Sequence, residues 1–553
     1  MIPPLAAPTR PFPLWLLAAG FLFACGYAPT LGAPFDFMDD GNLVYPTPGL
    51  SGRGHVELWW EKVAANVEHL GPFRPVVWAH WQLQANLFGA DPLAWRLARW
   101  LWCGLAATML LALLRELKLH PVAALVATAA AMWNPYRNEI WTSLTLAEGV
   151  AMPYAMTALW ASRRAAVCAK PGRFDLLAIG GLLLALGCKN VFVAMLPAML
   201  SLRLWPDGRT WRESLRANRA AFAGYLLPVL LPLGHFAYFR THWHAGQYET
   251  PGPSWEQARQ FALWLKGAAG LDFLGAGLGL VLLPVLIHRG ARVRNGPALA
   301  CAALLLLGGF LVYLPMRIMC GRYTMPAVWG LDIAFALLLT GFAALPASVW
   351  KRLGWLGLCG GLVALMVASV GRQEKVATRS RMLWAVLHHL EATAPPGARV
   401  VWVGGESEQG ELNAEEGIHL YWHLLHRGRG DVRIGLVDAF DQTTVRVELA
   451  PLTQAPEYRI AGRPVEGSLI WQPERTFAFP YRFGRRRYEC SLESLRPVPD
   501  SGLVVDPLTA RFMQDVFEKP GSEAEALRKL LPAPERGGAA TAGLLERSAE
   551  RPR

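Results

Sequence analysis

Eleven apolar stretches dominate the first 370 residues, near 13–33, 93–114, 121–134, 143–162, 174–187, 190–205, 221–239, 271–287, 297–315, 325–345 and 354–370. A helix needs about 20 apolar residues to cross a bilayer, because its backbone polar groups must be satisfied internally where there is no water. Several stretches reach that length. Those at 121–134, 174–187 and 190–205 are shorter, which calls for tilt, re-entry or flanking polar turns. The expectation is a polytopic α-helical membrane protein of about 11 transmembrane helices. With 53% hydrophobic and 17% charged residues, the composition excludes a soluble cytosolic protein, a disordered chain and a collagen-like fibre. No small-residue cleavage site follows the first stretch, so it reads as a retained signal anchor.

The net charge of +12 invites a nucleic-acid reading. Its distribution argues otherwise. From Gly371 onward there are 25 basic and 25 acidic residues, so the whole excess lies in the apolar part. With the N-terminus inside, the cytoplasmic segments carry 17 basic residues, among them Arg115, Arg163, Arg164, Arg203, Arg289 and Lys351, against four acidic ones. The rest of the membrane part holds 12 basic and 13 acidic residues. That is the positive-inside pattern, and an odd number of spans then places the C-terminal part outside. Basic residues scattered over short inner loops exclude nucleic acid as a partner. Eight cysteines show no C-x-x-C; Cys320 and Cys490 alone are placed to meet an oxidising compartment.

Three segments follow. Residues 1–370 form a transmembrane module whose first outer loop runs from about 34 to 90. Residues 371–532 form an extracytoplasmic domain. It opens with a helix, Gly371 to Thr393, stopped by Pro395-Pro396-Gly397, and continues with strands at Arg399–Val403, Val432–Val437, 443–449, 468–472 and 475–483 around a helix at Glu415–His426. That order suggests a small α/β domain. Residues 533–553, rich in Ala, Gly, Glu and Arg, read as a disordered tail.

The first outer loop holds the informative acids. Asp36, Asp39 and Asp40 follow directly on the first span. Clustered carboxylates at a membrane face suit either a divalent cation held by oxygen ligands or general-base work on an incoming hydroxyl. The plain alternative is a solvated acidic loop.

Five segments carry a family resemblance. Phe37-Met38-Asp39-Asp40-Gly41-Asn42-Leu43-Val44 resembles the first acidic motif of the GT-C glycosyltransferases, and Arg74-Pro75-Val76-Val77 with Asn86 to Leu97 resembles the stretch before their second span. Asn134-Pro135-Tyr136-Arg137-Asn138-Glu139 is similar to the Pro-x-x-x-Glu pattern of the second outer loop. Gly187-Cys188-Lys189-Asn190 with Pro197 is similar to a Lys-Glu…Pro element, Asn190 standing where Glu is usual. Gly321-Arg322-Tyr323-Thr324-Met325-Pro326 resembles the late Arg-Tyr…Pro motif. Together they cover about 10–345 and most resemble the protein O-mannosyltransferase and glycosyltransferase-39-like group.

The resemblance implies transfer of a sugar from a polyprenyl-phosphate donor to an acceptor on the outer face, the acceptor being protein, lipid or glycan. It implies Asp39 as general base, Asp40 as orienter or metal ligand, and Glu139 as a further acid at the site. Arg322, Lys189, Arg74 and Arg137 are the candidates for the donor phosphate, since guanidinium and ammonium groups neutralise a leaving phosphate. A divalent cation, Mg or Mn, would draw on Asp40 and Glu139. Membrane lipids surround the module, and the polyprenyl tail would lie in an apolar groove.

Each residue also has a plainer reading. Lys189 and Arg137 could snorkel to headgroups, and Glu139 could pair with Arg137. Glu148 and Asp332 fall inside apolar runs, where ionisable groups are costly and often functional; they leave room for a transporter or flippase, and a third reading is a catalytically dead relative that uses the soluble domain as a binding module. His242 and His244 flank Trp243 in a loop. His419, His423 and His426 share one helix face, a spacing that permits zinc but equally suits an amphipathic surface. Arg485-Arg486-Arg487 beside Tyr488 reads as solvated surface. The orientation is open to direct test: an alkaline-phosphatase fusion after Gly371 is expected to be active outside the membrane, and one after Arg292 inactive. The reverse result would invert the topology.

Overall fold

The computed structural model describes residues 13–35, 40–43, 52–70, 73–89, 91–168, 170–205, 211–242, 255–287, 295–314 and 321–393, together with eight strands between Arg399 and Val498. In chain order, α1 (Leu14–Ala24) passes into a 3-10 turn, Cys25–Thr30. The first outer loop supplies α2 (Gly52–Leu70) and α3 (Pro75–Phe88). Next come α4 (Pro92–Glu116), α5 (Pro121–Met132), α6 (Glu139–Thr142), α7 (Ala147–Val167) and α8 (Gly172–Cys188). A 3-10 segment, Asn190–Met195, leads into α9 (Leu196–Leu204), followed by α10 (Trp211–Ala217), α11 (Arg219–Leu226) and α12 (Leu230–His242). The last five are α13 (Trp255–Ala268), α14 (Leu271–Ile287), α15 (Gly296–Tyr313), α16 (Met325–Ala343) and α17 (Val349–Thr393).

Every one of the apolar stretches therefore contains helix. Among the described residues, four helical segments are long and apolar enough to cross a membrane: Pro92–Glu116, Gly296–Tyr313, Arg322–Ala343 and Val349–Glu374. The pair Trp255–Ala268 and Leu271–Leu286 passes together but bends by 75°, and Leu14–Thr30, Pro121–Met132 and Asn190–Leu204 are shorter apolar helices. The chain is a polytopic helical membrane protein; two of its short helices, Pro121–Met132 and Asn190–Leu204, fall at stretches the sequence also makes short, and the third, Leu14–Thr30, does not.

Local chemistry sets the boundaries. Proline occupies the first turn of α5, α9, α15 and α16, where its missing N–H is one of the unpaired donors anyway. Lys118 ends α4 in the left-handed region at φ 57°, with the Leu119 amide reaching back to the Leu114 carbonyl, a C-terminal capping pattern. Gly270, at φ +67°, makes the bend between α13 and α14.

Chain contacts cluster the residues into two units. The first comprises Met1–Leu31, Thr47–Leu87 and Ala94–Gln373, and the second Gly32–Pro46, Phe88–Leu93 and Glu374–Arg553. In the first, polar contacts sort into two sets. Residues read as cytoplasmic meet one another: Arg164 pairs with Glu116 at 3.0 Å, Arg203 with Asp175 at 2.6 Å, and the Asn295 amide donates to the Leu117 carbonyl at 2.5 Å. Residues read as outer meet one another in the cluster described below. Helices close on small residues, as lipid-embedded interfaces require. A Cβ built on Gly330 would lie 2.5 Å from the Ala302 carbonyl oxygen, which brings α16 against α15.

In the second unit, β1 (Arg399–Val403), β2 (Arg433–Val437), β5 (Ser468–Trp471) and β8 (Arg496–Val498) form a sheet in the order β2-β1-β5-β8. β1 runs parallel to both neighbours, with Val401 opposite Gly435 and Ile470, whereas β8 is antiparallel to β5. Two antiparallel pairs complete it: β3 (Arg459–Ile460) with β4 (Arg463–Pro464), and β6 (Phe477–Phe483) with β7 (Arg486–Cys490). Parallel neighbours need a long crossover, and the helix expected at Glu415–His426, with its three histidines, falls in the β1–β2 connection, outside the described residues. The expected strand at 443–449, the tail 533–553, Trp243, His244, Cys320 and Arg485 also lie outside them. The helix expected from Gly371 is instead the continuation of α17, which runs unbroken to Thr393.

The α1–α4 contact is checkable. A Cβ at Gly20 would meet the Thr108 hydroxyl and sit 2.7 Å from the Gly104 carbonyl, whereas Gly180 has nothing within 4 Å. Gly20→Val is expected to destabilise by about 1–3 kcal/mol through overpacking. Gly180→Ala is expected to stabilise by roughly 0.5–1 kcal/mol. Thermal unfolding in detergent reads both.

Candidate functional site

The segment between α5 and α6 is shaped by Asn134. Its side-chain oxygen accepts from the Tyr136 amide at 2.9 Å, and its nitrogen donates to the Ala268 carbonyl at 2.7 Å. This local turn aims Arg137 inward. Nη1 and Nη2 of Arg137 each donate to one oxygen of Asp332 at 2.8 Å, while Nε and Nη2 also donate to the Ala268 carbonyl at 2.8 and 2.6 Å. Ala268 ends α13, where unpaired carbonyls carry partial negative charge, so the guanidinium meets a carboxylate and a helix C-terminus at once. Arg137 is thus a clamp joining α13, α16 and the 134–139 segment.

Glu139 opens α6 and accepts from Arg322 Nη1 at 2.5 Å, with side chains 41% and 22% exposed. Arg322 also approaches a second acid, its Nε lying 3.7 Å from Oε1 of Glu148 in the first turn of α7. Glu148 is buried and accepts from the Lys189 ammonium. Lys189 has extended backbone between α8 and the 3-10 segment, which turns its side chain out of the helix, and its Nζ stands 4.0 Å from the Tyr323 ring centroid. Glu139, Arg322, Glu148 and Lys189 therefore form a chain of alternating charge. A buried ion costs several kcal/mol unless paired; here each acid has a cation.

Arg74 adds a third cation. It lies just before α3, two residues from Val76, whose side chain packs on Gly187 beside Lys189. Its Nε is buried and has no hydrogen-bond acceptor among the described residues. Among the described residues the cluster counts three cations, Arg74, Lys189 and Arg322, and two acids, Glu139 and Glu148. A guanidinium with a donor to spare is the kind of group that meets a phosphate.

Two further expectations can be placed and a third cannot. Asp39 lies outside the described residues. Asp40 opens a 3-10 turn, Asp40–Leu43, is buried, and belongs to the second unit. Asn190 contacts Nδ1 of His235 through its amide nitrogen at 2.9 Å. Among the described residues no three His, Cys, Asp or Glu come together as a metal cage. Glu148 and Asp332, the acids that left a transporter reading open, are both engaged in ion pairs.

Sequence reasoning assigned no role to Arg96 and Arg99. Both are buried on α4, donating to the carbonyls of Thr142 and Leu144. One turn on, Trp102 Nε1 donates to the Val150 carbonyl at 2.8 Å. This stripe at three-residue spacing grips the connection from α6 to α7, and so spaces Glu139 from Glu148. The available signal was two arginines in the first turns of an otherwise apolar helix. Beside it, burial and then the Arg99 charge hold the His80 imidazole down to about 4, so His80 is neutral at pH 7. Tyr136 is shifted upward, first by burial and then by its hydrogen bond to Asp272, and stays protonated.

No family model matches the sequence, and no curated protein does. Among solved structures, the chain resembles a crystal structure of ArnT from Cupriavidus metallidurans bound to undecaprenyl phosphate. That likeness has a TM-score of 0.42 and 12% identity, over 74% of this chain and 84% of that one.

The clamp has a clear signature. Arg137→Met leaves Asp332 buried without its cation and is expected to cost about 3–5 kcal/mol, whereas Arg137→Met with Asp332→Leu recovers most of that loss. Unfolding midpoints of the single and double variants test it. A single variant as stable as the parent would remove the clamp.

Proposed function

We propose that the protein is a membrane glycosyltransferase of GT-C type. It moves a sugar from a polyprenyl-phosphate donor to an acceptor hydroxyl or amide at the outer face of a plasma membrane. The observation that carries this reading is the cationic excess of Arg74, Lys189 and Arg322 over Glu139 and Glu148, with the buried Nε of Arg74 unused among the described residues. In such a transfer the acceptor oxygen or nitrogen bonds to the anomeric carbon as the bond from that carbon to the phosphate oxygen breaks. The leaving group departs as a lipid phosphate monoester, so its negative charge grows in the transition state. Fixed cations in a water-poor site stabilise that growth.

The acceptor loses a proton in the same event. Asp39 is the proposed base, at the start of the first outer loop, with Asp40 as its neighbour. Arg137, with its donors committed to Asp332 and Ala268, is left as a positioning group rather than a phosphate ligand. A divalent cation, where one is used, is proposed to draw on Asp40 and Glu139. The N-terminus is proposed to be cytoplasmic and the C-terminal domain extracytoplasmic.

The two roles separate experimentally. Binding of polyprenyl phosphate to the purified protein in nanodiscs is expected to weaken by about 10- to 100-fold in Arg74→Gln, for loss of a charge-assisted contact. In Asp39→Asn binding is expected to stay unchanged, while release of lipid phosphate from polyprenyl-phosphate hexose, with a membrane extract supplying acceptor, falls by about 100-fold or more. Unchanged lipid binding in Arg74→Gln would sink the anion site, and full turnover in Asp39→Asn would sink the base.

A further inference from the structure

The end of α8 remote from Lys189 carries a second polar network. Asp175, in the first turn of α8, precedes Lys189 by 14 residues, about 21 Å along a helix axis. It accepts from Arg203 Nε at 2.6 Å, from Arg203 Nη2 at 3.1 Å and from the Tyr225 hydroxyl at 3.1 Å. Arg203 Nη2 also donates to Oδ1 of Asn218 at 2.7 Å, and the Asn218 side-chain nitrogen donates to the Ser214 carbonyl at 2.7 Å. Arg203 lies in the last turn of α9, and Asn218 joins α10 to α11. The network therefore fixes the α10–α11 joint against α8 and α9.

With Asp175 committed inward, the fixed joint presents cations outward. Arg212, Arg216 and Arg219 are exposed, and Glu213 is the one acid in α10 and α11. Beyond Arg219 the surface turns apolar along one face. Ala223, Leu226, Leu230 and Leu233 are exposed and follow Arg219 at steps of three or four residues, through α11, a 3-10 turn at Leu227–Val229 and α12. That step keeps them on one helix face. From Arg219 to Leu233 the stripe runs about 20 Å. A cationic head on 20 Å of apolar helix is complementary to one kind of amphiphile: a phosphate at the arginines with an acyl chain along the leucines. A zwitterionic headgroup would bring its own ammonium to the arginines and lose much of that match.

We infer that the α10–α11 joint is a binding site for an anionic phospholipid, its headgroup phosphate on Arg216 and Arg219 and its chain along Leu226, Leu230 and Leu233. The lipid belongs to the leaflet at that end of α8, away from the Lys189 cluster, so it is distinct from the proposed polyprenyl donor. The assignment stands apart from the glycosyltransferase reading. Its test titrates the purified full chain in detergent with phosphatidylglycerol or phosphatidylcholine of the same acyl chains. Native mass spectrometry reads the lipid-bound fraction, and the melting temperature without lipid reads the fold.

The parent is expected to prefer phosphatidylglycerol by about 20-fold. Arg216→Gln and Arg219→Gln are each expected to lose about fivefold for that lipid, and the double variant most of the preference, with phosphatidylcholine binding and the melting temperature unchanged. The single variants carry the test by themselves should the double variant fold poorly. Replacement of both residues by Lys is expected to keep most of the preference. Arg352→Gln serves as a control: it removes an exposed arginine from α17, whose glycines pack on α14 and α16, and is expected to change nothing. No preference in the parent, an intact preference in Arg216→Gln and Arg219→Gln, or an equal loss in Arg352→Gln overturns the site. Displacement of phosphatidylglycerol by millimolar inorganic phosphate at constant ionic strength makes it a site for a soluble anion and overturns the lipid assignment.

Discussion

The bidentate pair between Arg137 and Asp332 is the contact on which one end of the helical unit depends. Asp332 lies well inside α16, where an unpaired carboxylate would be expensive. Arg137 comes from a short loop and also holds the C-terminal carbonyl of α13. One guanidinium thus joins three segments distant in sequence. Tyr136 and Glu139 sit on either side of it in the chain, so their positions follow from the same clamp.

Around this pair the site is organised by the rule that buried charge must be compensated. Glu139, Arg322, Glu148 and Lys189 alternate in sign, and the Tyr323 ring faces the Lys189 ammonium. Arg96 and Arg99 meet main-chain carbonyls of the α6–α7 connection. Arg74 breaks the pattern, because its buried Nε has no acceptor among the described residues.

Much of this was legible in the residues. Apolar runs mark the helices because a lipid-embedded backbone must bond to itself. Lys189, Arg322 and Glu139 were nominated by their neighbours in sequence, and the fold brings these three together with Glu148. Other parts were illegible for physical reasons. The commitment of Arg137 to Asp332, 195 positions away, has no local signal. The grip of Arg96 and Arg99 on the α6–α7 connection is equally non-local, because main-chain carbonyls carry no sequence identity. Glu148 could be read as wet at a helix start; Lys189 makes it a buried ion partner.

The sequence by itself determined where the apolar helices lie and which residues lipid will tolerate, because both follow from short-range hydropathy. Only the tertiary structure decided which cation answers which acid. Side chains of the same type were interchangeable candidates along the chain. Packing at distances of a few ångströms consumed Arg137 in a clamp, tied Arg322 to two acids, and left a donor of Arg74 over, because a buried charge is settled by the partner within reach rather than by its place in the sequence.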